Sequence, residues 1–492
     1  MQYQSTRDKN LKSGSAQAVL NGLAPDGGLY TMPSFDEARF DYREVLDLDT
    51  FAMSARILSK LLPDFSEEEM TKLVHDGYAG KFETDHLTPT VSVGEDHILE
   101  LFRGPTSAFK DVALSMLPRL MTAAKGKCGF TDEIMILTAT SGDTGKAAME
   151  GFCNVPGTRI IVFYPYGGVS AVQQAQMATQ AGENVCVCAV RGNFDDAQTG
   201  VKNIFASVGR EGLLKGKGVS LSSANSINWG RILPQVVYYI SAYCDLVRDG
   251  ALTMGDKVNF CVPTGNFGDI LAAYYAKRMG LPVNRLICAS NSNNVLTDFL
   301  RTGIYDRNRP FHTTISPSMD ILISSNLERL LFDLSGENDA EIRIYMDALG
   351  SAGRYQVSDN IKAKLDDAFW GGCCSEEGTE ETIRRYWQDH NYLIDPHTAV
   401  AAEVLAQYRV ASGDETPAVV VSTASPYKFC GSVLTAIGET PCGDGLELLD
   451  QLHAVSGVPV PCRLAELKGK SRRFDKTVEK QAMEQAVLDF LK

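Results

Sequence analysis

Apolar and polar positions change their grammar along this chain near residue 133. Before it, residues 50–62 and 66–79 place apolar side chains at helical spacing, which predicts two amphipathic helices behind a turn at Pro25-Asp26-Gly27-Gly28. After it, short apolar runs alternate with helix-period stretches. Strands are expected at 133–140, 159–164 and 184–190, and helices at 146–152, 171–180 and 194–208. The alternation resumes with a long helix at 229–247, a strand at 257–262, a helix at 269–279 and a strand at 285–289. Strand and helix at this pitch predict an α/β protein built on parallel sheets. Residues 336–390 break the pattern: they are acidic and helix-rich, end in EEGTEETIRRYWQDH, and read as an appended helical segment with a solvated face. Strand character returns at 418–423.

Lys110 is the residue that carries most chemistry. The run LFRGPTSAFKDVALSML reads as a helix start in which Thr106 or Ser107 can cap and Lys110 falls in the first turn. The positive end of the helix dipole disfavours an ammonium there and lowers its pKa, which a lysine needs before it can attack a carbonyl. Taken alone, such a lysine reads as a solvated surface residue. Two glycine-rich loops elsewhere change that reading.

The first loop, Ser141-Gly142-Asp143-Thr144-Gly145, lies between the 133–140 strand and a helix. The second, Gly265-Asn266-Phe267-Gly268-Asp269, lies between the 257–262 strand and the helix ILAAYYAKRM. Each can turn backbone N–H groups and a helix N-terminus towards a carboxylate or phosphate at the C-terminal end of a parallel strand. Either could equally be a tight connection. Neither matches the dinucleotide or nucleotide-triphosphate fingerprints. Two cradles and a lysine able to form an imine suggest pyridoxal 5'-phosphate, with the amino-acid substrate's carboxylate in the other cradle.

Composition narrows the partners. The chain has 492 residues, 44% hydrophobic and 22% charged, with a formal net charge of −14. That charge argues against nucleic acid or an anionic membrane as the main partner. The opening MQYQSTRDKNLKSGSAQ is too polar for a secretory leader, and no stretch approaches the ~18 apolar residues of a membrane span. The 12 cysteines are scattered, without zinc-ligand spacing, and fit reduced thiols in a cytoplasm; no metal site is expected.

GPTSAFKD, SGDTG, SINWGR, GNFGD, DPHTA and STASPYKF, in this order, together resemble the threonine synthase family, pyridoxal-phosphate lyases of fold-type II, with the tryptophan synthase β-like fold. The opening STR and the APDGGLY turn are similar as well, and the length looks like the larger, enterobacterial and yeast-like branch. The resemblance implies conversion of O-phospho-L-homoserine and water to L-threonine and phosphate, the last step of threonine biosynthesis. It implies that Lys110 holds the cofactor as a Schiff base and then serves as acid and base. Gly265, Asn266, Phe267, Gly268 and Asp269 would form the cofactor-phosphate loop, with the Asp269 carboxylate turned away from that phosphate. Asp143 would lie over the cofactor and Thr423 would face the pyridine nitrogen. Ser141 and Thr144 would hold the substrate carboxylate, and Arg231 and Lys428, helped by Asn225 and Asn228, the substrate phosphate. Arg103 and Lys146 are weaker cationic candidates; Arg103 stands where many relatives have His. His397 follows Asp395-Pro396 and reads as a turn residue or cap rather than a base, and Cys261 and Cys430 as packing residues.

The expected division is an N-terminal section at 1–90, an α/β domain at 91–225 with Lys110 and SGDTG, a second α/β domain at 226–440 with GNFGD and Thr423 and a helical insertion at about 306–390, and a C-terminal segment at 441–492. Rival readings are a phospho-lyase of the same family that releases 2-oxobutyrate, another fold-type II activity such as threonine deamination or a sulfhydrylase, and a non-catalytic pyridoxal-phosphate sensor. Asp143, where those other activities usually have Asn, and Phe109-Lys110-Asp111 count against the second; intact Lys110 and both cradles count against the third.

Overall fold

The computed structural model describes residues 2–491 apart from 33, 34, 36, 213 and 444. Two sheets organise it. The first has five strands in the order Thr477–Glu479, Val185–Arg191, Thr158–Pro165, Glu133–Ala139, Val219–Ser222, all parallel. The second has six, in the order Phe369–Cys373, Val283–Ser290, Val258–Pro263, Ala418–Ser422, Asp96–Glu100, Thr90–Val93, parallel except for the closing hairpin. Central strands such as Val258–Pro263 are buried at every residue, because helices cover both faces. This is why they read as unbroken apolar runs.

The helix Lys110–Cys128 packs against both Asp143–Phe152 and Trp229–Arg248. A small antiparallel sheet of Tyr3–Ser5, Lys12–Ser13 and Tyr30–Thr31 anchors the N-terminal section, and Tyr3 meets Trp229 edge-on with ring centroids 5.1 Å apart. Behind it lie the helices Thr50–Leu61 and Glu67–Tyr78, capped by the Asp49 and Ser66 side chains.

The sheets depart from the expected division. Residues 91–100, expected in the first α/β domain and not read as strands, instead lie in the strands Thr90–Val93 and Asp96–Glu100, which extend the second sheet alongside Ala418–Ser422. The chain leaves Glu100 at the C-terminal edge of that sheet and only then enters the helix beginning at Lys110, so Lys110 lies where the two units meet. The acidic 336–390 stretch is helical at Asp339–Ser351, Asp359–Ala368 and Glu376–His390, but it also contributes an edge strand, Phe369–Cys373. Its two glycines explain the disguise: a Cβ at Gly371 would lie 3.2 Å from Leu300 and Thr297, so the bare backbone lets the helix Val295–Thr302 close on the sheet. Val219–Ser222 and, from the C-terminal segment, Thr477–Glu479 also escaped the pattern.

Candidate active site

The expected cap at Lys110 is reversed. Neither Thr106 nor Ser107 caps the helix; the Asp111 side chain reaches back and accepts from the Thr106 N–H at 2.7 Å and its hydroxyl at 2.5 Å. Gly104 is required beneath it, since a Cβ there would lie 2.5 Å from the Asp111 carboxylate. Ser107 takes a left-handed φ of 60°, and the loop is stitched to the end of the 418–422 strand. The Phe109 N–H donates to the Thr423 carbonyl at 2.8 Å and the Ser425 N–H to the Ser107 carbonyl at 3.1 Å. Lys110 and Thr423 are thereby brought together across a short backbone bridge. The Thr423 side chain is buried, and its hydroxyl has no protein partner among the described residues.

The Lys110 amine is buried among charges. Its Nζ lies 3.7 Å from Asp143 Oδ2, 3.4 Å from Ser318 Oγ, and 4.8 Å from the centre of the Phe109 ring. Burial pushes its pKa down to about 8; Asp143 opposes the shift, and the cations Arg231 and Lys428 add to it. Asp143 in turn sits 2.5 Å from Lys428 Nζ and accepts from Gln173 Nε2 at 2.8 Å. Burial alone would raise the Asp143 carboxyl, yet Lys428 and Lys110 hold it well below the usual carboxylate range. Lys428 is fully buried and also donates to the Thr106 carbonyl at 3.1 Å. Arg231 donates to the Ala224 carbonyl at 2.8 Å, and burial pushes it down to about 10. No carboxylate pairs with it among the described residues, so this guanidinium has charge to spare.

Both glycine loops are open cradles. In the first, Gly142 has φ 137°, and the Thr140 hydroxyl accepts from the Gly142 and Gly145 N–H groups at 3.0 and 2.9 Å. The N–H groups of Asp143 and Thr144 then have no protein acceptor among the described residues. The Ser141 and Thr144 hydroxyls, half-buried beside them, are likewise unpartnered among those residues. In the second, Phe267 adopts a left-handed φ of 65° and the helix Gly268–Arg278 starts without a side-chain cap. Its carbonyls are tied back: Ser324 Oγ donates to Gly265 at 2.7 Å, and the Asn326 N–H and Nδ2 each donate to Asn266 at 3.1 Å. The N–H groups of Asn266, Phe267, Gly268 and Asp269 remain without a protein acceptor among the described residues, which is what an anion at a helix N-terminus needs. The Asp269 carboxylate is turned away and accepts from the Tyr238 and Tyr239 hydroxyls at 2.5 and 2.6 Å; burial pushes it up to about 6.

Some expected residues lie elsewhere. Asn228 is the cap of the helix Trp229–Arg248: its Oδ1 accepts from Gly230 at 2.9 Å, and its Nδ2 donates to Val19 and Ser223 carbonyls, so it has no bond left for a substrate. Asn225 accepts from Thr138 Oγ1 at 3.0 Å, which leaves its amide nitrogen as the group it could offer. Arg103 turns outward to Glu100 and Glu83, at 2.7 and 2.9 Å. Lys146 pairs with Glu150 at 2.9 Å and with Gln180. His397 is the second residue of the helix Pro396–Ser412, and the capping group is Asp395. Cys261 and Cys430 are buried. No group of residues able to hold a metal occurs among the described residues, nor does a helix long and apolar enough to cross a membrane.

Sequence reasoning missed four neighbours. Ser318 touches Lys110, and its carbonyl oxygen would lie 2.7 Å from a Cβ at Gly265, so one residue abuts both the amine and the second cradle. Gln173 holds Asp143 from the helix Ala171–Ala178, and Gln176 donates from it to the Thr106 carbonyl at 3.2 Å. Arg329, fully buried, donates to the Tyr30 carbonyl at 2.7 Å, the Ile227 carbonyl at 2.6 Å and the Asn326 side chain, one step from the second cradle. The one available signal was the stretch SPSMDILISSN, polar and without helical period inside a segment read as helical.

Comparison with known proteins gives three family matches: pyridoxal-phosphate dependent enzyme over residues 99–355, threonine synthase N terminus over 2–78, and threonine synthase, C-terminal, over 398–487. Threonine synthase of Pseudomonas aeruginosa is 39% identical over 90% of this chain and 92% of its own length. Human threonine synthase-like 1 is 39% identical over 86% of this chain, which spans only 58% of that protein's length. The crystal structure of a pyridoxal-phosphate-bound threonine synthase from Brucella melitensis superposes over the whole of both chains with a TM-score of 0.88 at 36% identity.

Proposed function

The chain belongs to the threonine synthase family of pyridoxal-phosphate-dependent, fold-type II enzymes, and from that premise we propose that it converts O-phospho-L-homoserine and water to L-threonine and phosphate. The observation that carries the reading is a buried lysine amine whose neighbour Ser318 also walls a glycine loop with unspent N–H groups.

The residues fit pyridoxal 5'-phosphate. The N–H groups of Asn266, Phe267, Gly268 and Asp269 would take its phosphate, Lys110 its aldehyde, and the unpartnered Thr423 hydroxyl its ring nitrogen. When bound, the cofactor supplies an electrophilic carbon and a conjugated ring that spreads negative charge arising on the substrate. A neutral hydroxyl at Thr423 does not hold a proton on the ring nitrogen as a carboxylate would. Asp143 fixes the amine's position from one side, and its own charge is shared with Lys428.

Lys110 is suited to move protons at the substrate Cα and Cβ. With its pKa near 8, it exchanges between neutral and charged forms close to working pH, where a single group can act as base and acid in turn. The N–H groups of Asp143 and Thr144, with the Ser141 and Thr144 hydroxyls, are placed to orient a carboxylate. For the substrate phosphate, Arg231 is the stronger candidate of the two cations. Its guanidinium has only a carbonyl partner, whereas Lys428 is already neutralised by Asp143. The 12 free thiols favour a reducing compartment such as the cytoplasm.

The test is an assay of purified, cofactor-loaded protein with O-phospho-L-homoserine, following phosphate release and identifying the carbon product. Threonine formed in step with phosphate is the expected result. Predominant 2-oxobutyrate would assign the phospho-lyase reaction instead, and absence of phosphate release would remove the substrate altogether.

A further inference from the structure

His397 is buried at 2% exposure, with its ring 5.0 Å from that of Phe429. Its Nδ1 lies 2.6 Å from Asp395 Oδ2, and its Nε2 lies 3.2 Å from the backbone nitrogen of Ser318. A backbone N–H can only donate, so Nε2 must be the bare nitrogen. The proton is then on Nδ1, where it donates to Asp395. Asp395 is itself immobilised, accepting from the His397 N–H at 2.9 Å, from the Thr398 N–H at 3.2 Å and from the Thr398 hydroxyl. The ring is therefore neutral, in one tautomer, with its only lone pair occupied. It cannot act as a base.

What it holds is informative. Ser318 lies in the short turn Pro317–Met319, and its two ends face the two halves of the site. Its hydroxyl is 3.4 Å from Lys110 Nζ, at the long end of hydrogen-bond range, and its carbonyl oxygen lies against Gly265. We propose that His397 is a positioning residue for Lys110: it grips the Ser318 backbone so that the Ser318 hydroxyl meets the lysine amine while the Ser318 carbonyl walls the Gly265 turn. The inference deepens the function argued above and rests on it for the reaction served, but the contact itself needs neither cofactor nor substrate. The other charged groups that act on the amine are Asp143, Lys428, Arg231 and Asp269, and none of them reaches it through His397.

The test is made on cofactor-free protein, by measuring how the rate of Lys110 acetylation depends on pH and reading the modified peptide by mass spectrometry. The Ser318 hydroxyl accepts from the charged amine, so Ser318→Ala should lower the Lys110 midpoint by several tenths of a pH unit. His397→Asn, which keeps a donor towards Asp395 but loses the acceptor for Ser318, should lower it in the same direction. Adding Ser318→Ala to His397→Asn should produce no further shift, because both act through one hydroxyl. His397→Gln, whose carbonyl oxygen can take the Ser318 N–H, should restore the wild-type midpoint. Additive shifts, or an unchanged midpoint in Ser318→Ala, would overturn the proposal. Nitrogen NMR of the wild-type ring gives a check that needs no variant to fold: a neutral ring protonated on Nδ1 at neutral pH is expected, and an imidazolium would contradict it. Failure of the threonine assay would leave these titrations untouched, so the two claims can fail separately.

Discussion

The Asp143 carboxylate lies 2.5 Å from the Lys428 ammonium, and this buried pair sets the charge that Lys110 meets. Each partner pulls the lysine's titration in a different direction. Lys428→Met leaves Asp143 with Lys110 as its main cation and should raise the Lys110 midpoint above about 8; Asp143→Asn should lower it below that value. Asp143→Asn also strands the buried Lys428 charge, at a cost of about 3–5 kcal/mol in stability, whereas Lys428→Met costs less because Lys110 remains beside Asp143. Denaturant titration of both variants, with the pH profile of Lys110 acetylation, checks the pair of signs.

Burial of Lys110 has a consequence for stability itself. Its folded pKa of about 8 lies below the ordinary 10.5, so between those values the unfolded chain binds more protons than the folded one. The cost of burying the charged amine is fully present below about pH 8 and is relieved as pH rises towards 10.5. At roughly 1.4 kcal/mol per pH unit, that cost is about 3 kcal/mol at most. Cofactor-free Lys110→Met should therefore be more stable than wild type at neutral pH by about 1–3 kcal/mol, with the gap closing at alkaline pH. Urea titrations across that range measure it.

Gly265 is a point of close approach. A methyl there would lie 2.7 Å from the Ser318 carbonyl oxygen, and backbone cannot swing aside as a flexible side chain can. Gly265→Ala should cost about 1–3 kcal/mol. It should also weaken cofactor affinity by about tenfold or more, since the N–H groups behind it must shift. Equilibrium dialysis against pyridoxal phosphate checks the second effect.

Arg329 ties three segments together from beneath the same loop: Tyr30 of the N-terminal section, Ile227 before the Trp229–Arg248 helix, and Asn326, which holds Asn266. Lysine keeps the charge but cannot serve three fixed acceptors, so Arg329→Lys should destabilise by about 1–3 kcal/mol and weaken cofactor binding. The guanidinium lies 5.4 Å from the Trp229 ring, so indole fluorescence reports the change directly.

The parts of the site legible in the sequence are those whose chemistry is local. A strand, a glycine-rich turn and a helix in succession announce an anion cradle, and Lys110 stands out once two cradles exist. Asp269 was legible for a similar reason: a carboxylate beside an anion site must turn away, and it does so onto Tyr238 and Tyr239. Ser318 and Gln173 were not legible, because they reach the site from a loop and a helix whose own sequences bind nothing. Asn228 was misjudged although it stands directly before a long helix, the position where asparagine caps. Strand Phe369–Cys373 hid behind its two glycines and acidic surroundings, and the pairing of Asp96–Glu100 with Ala418–Ser422 joins residues too far apart in sequence for any local pattern to reveal.

Reduction of the pyridoxal-phosphate-loaded protein with borohydride, followed by peptide mapping, tests the central claim most directly. A pyridoxyl group on the peptide carrying Lys110, and its loss in Lys110→Ala with the fold intact, is the predicted result. A pyridoxyl group on a different lysine, or none on a protein that retains threonine-forming activity, would contradict the account.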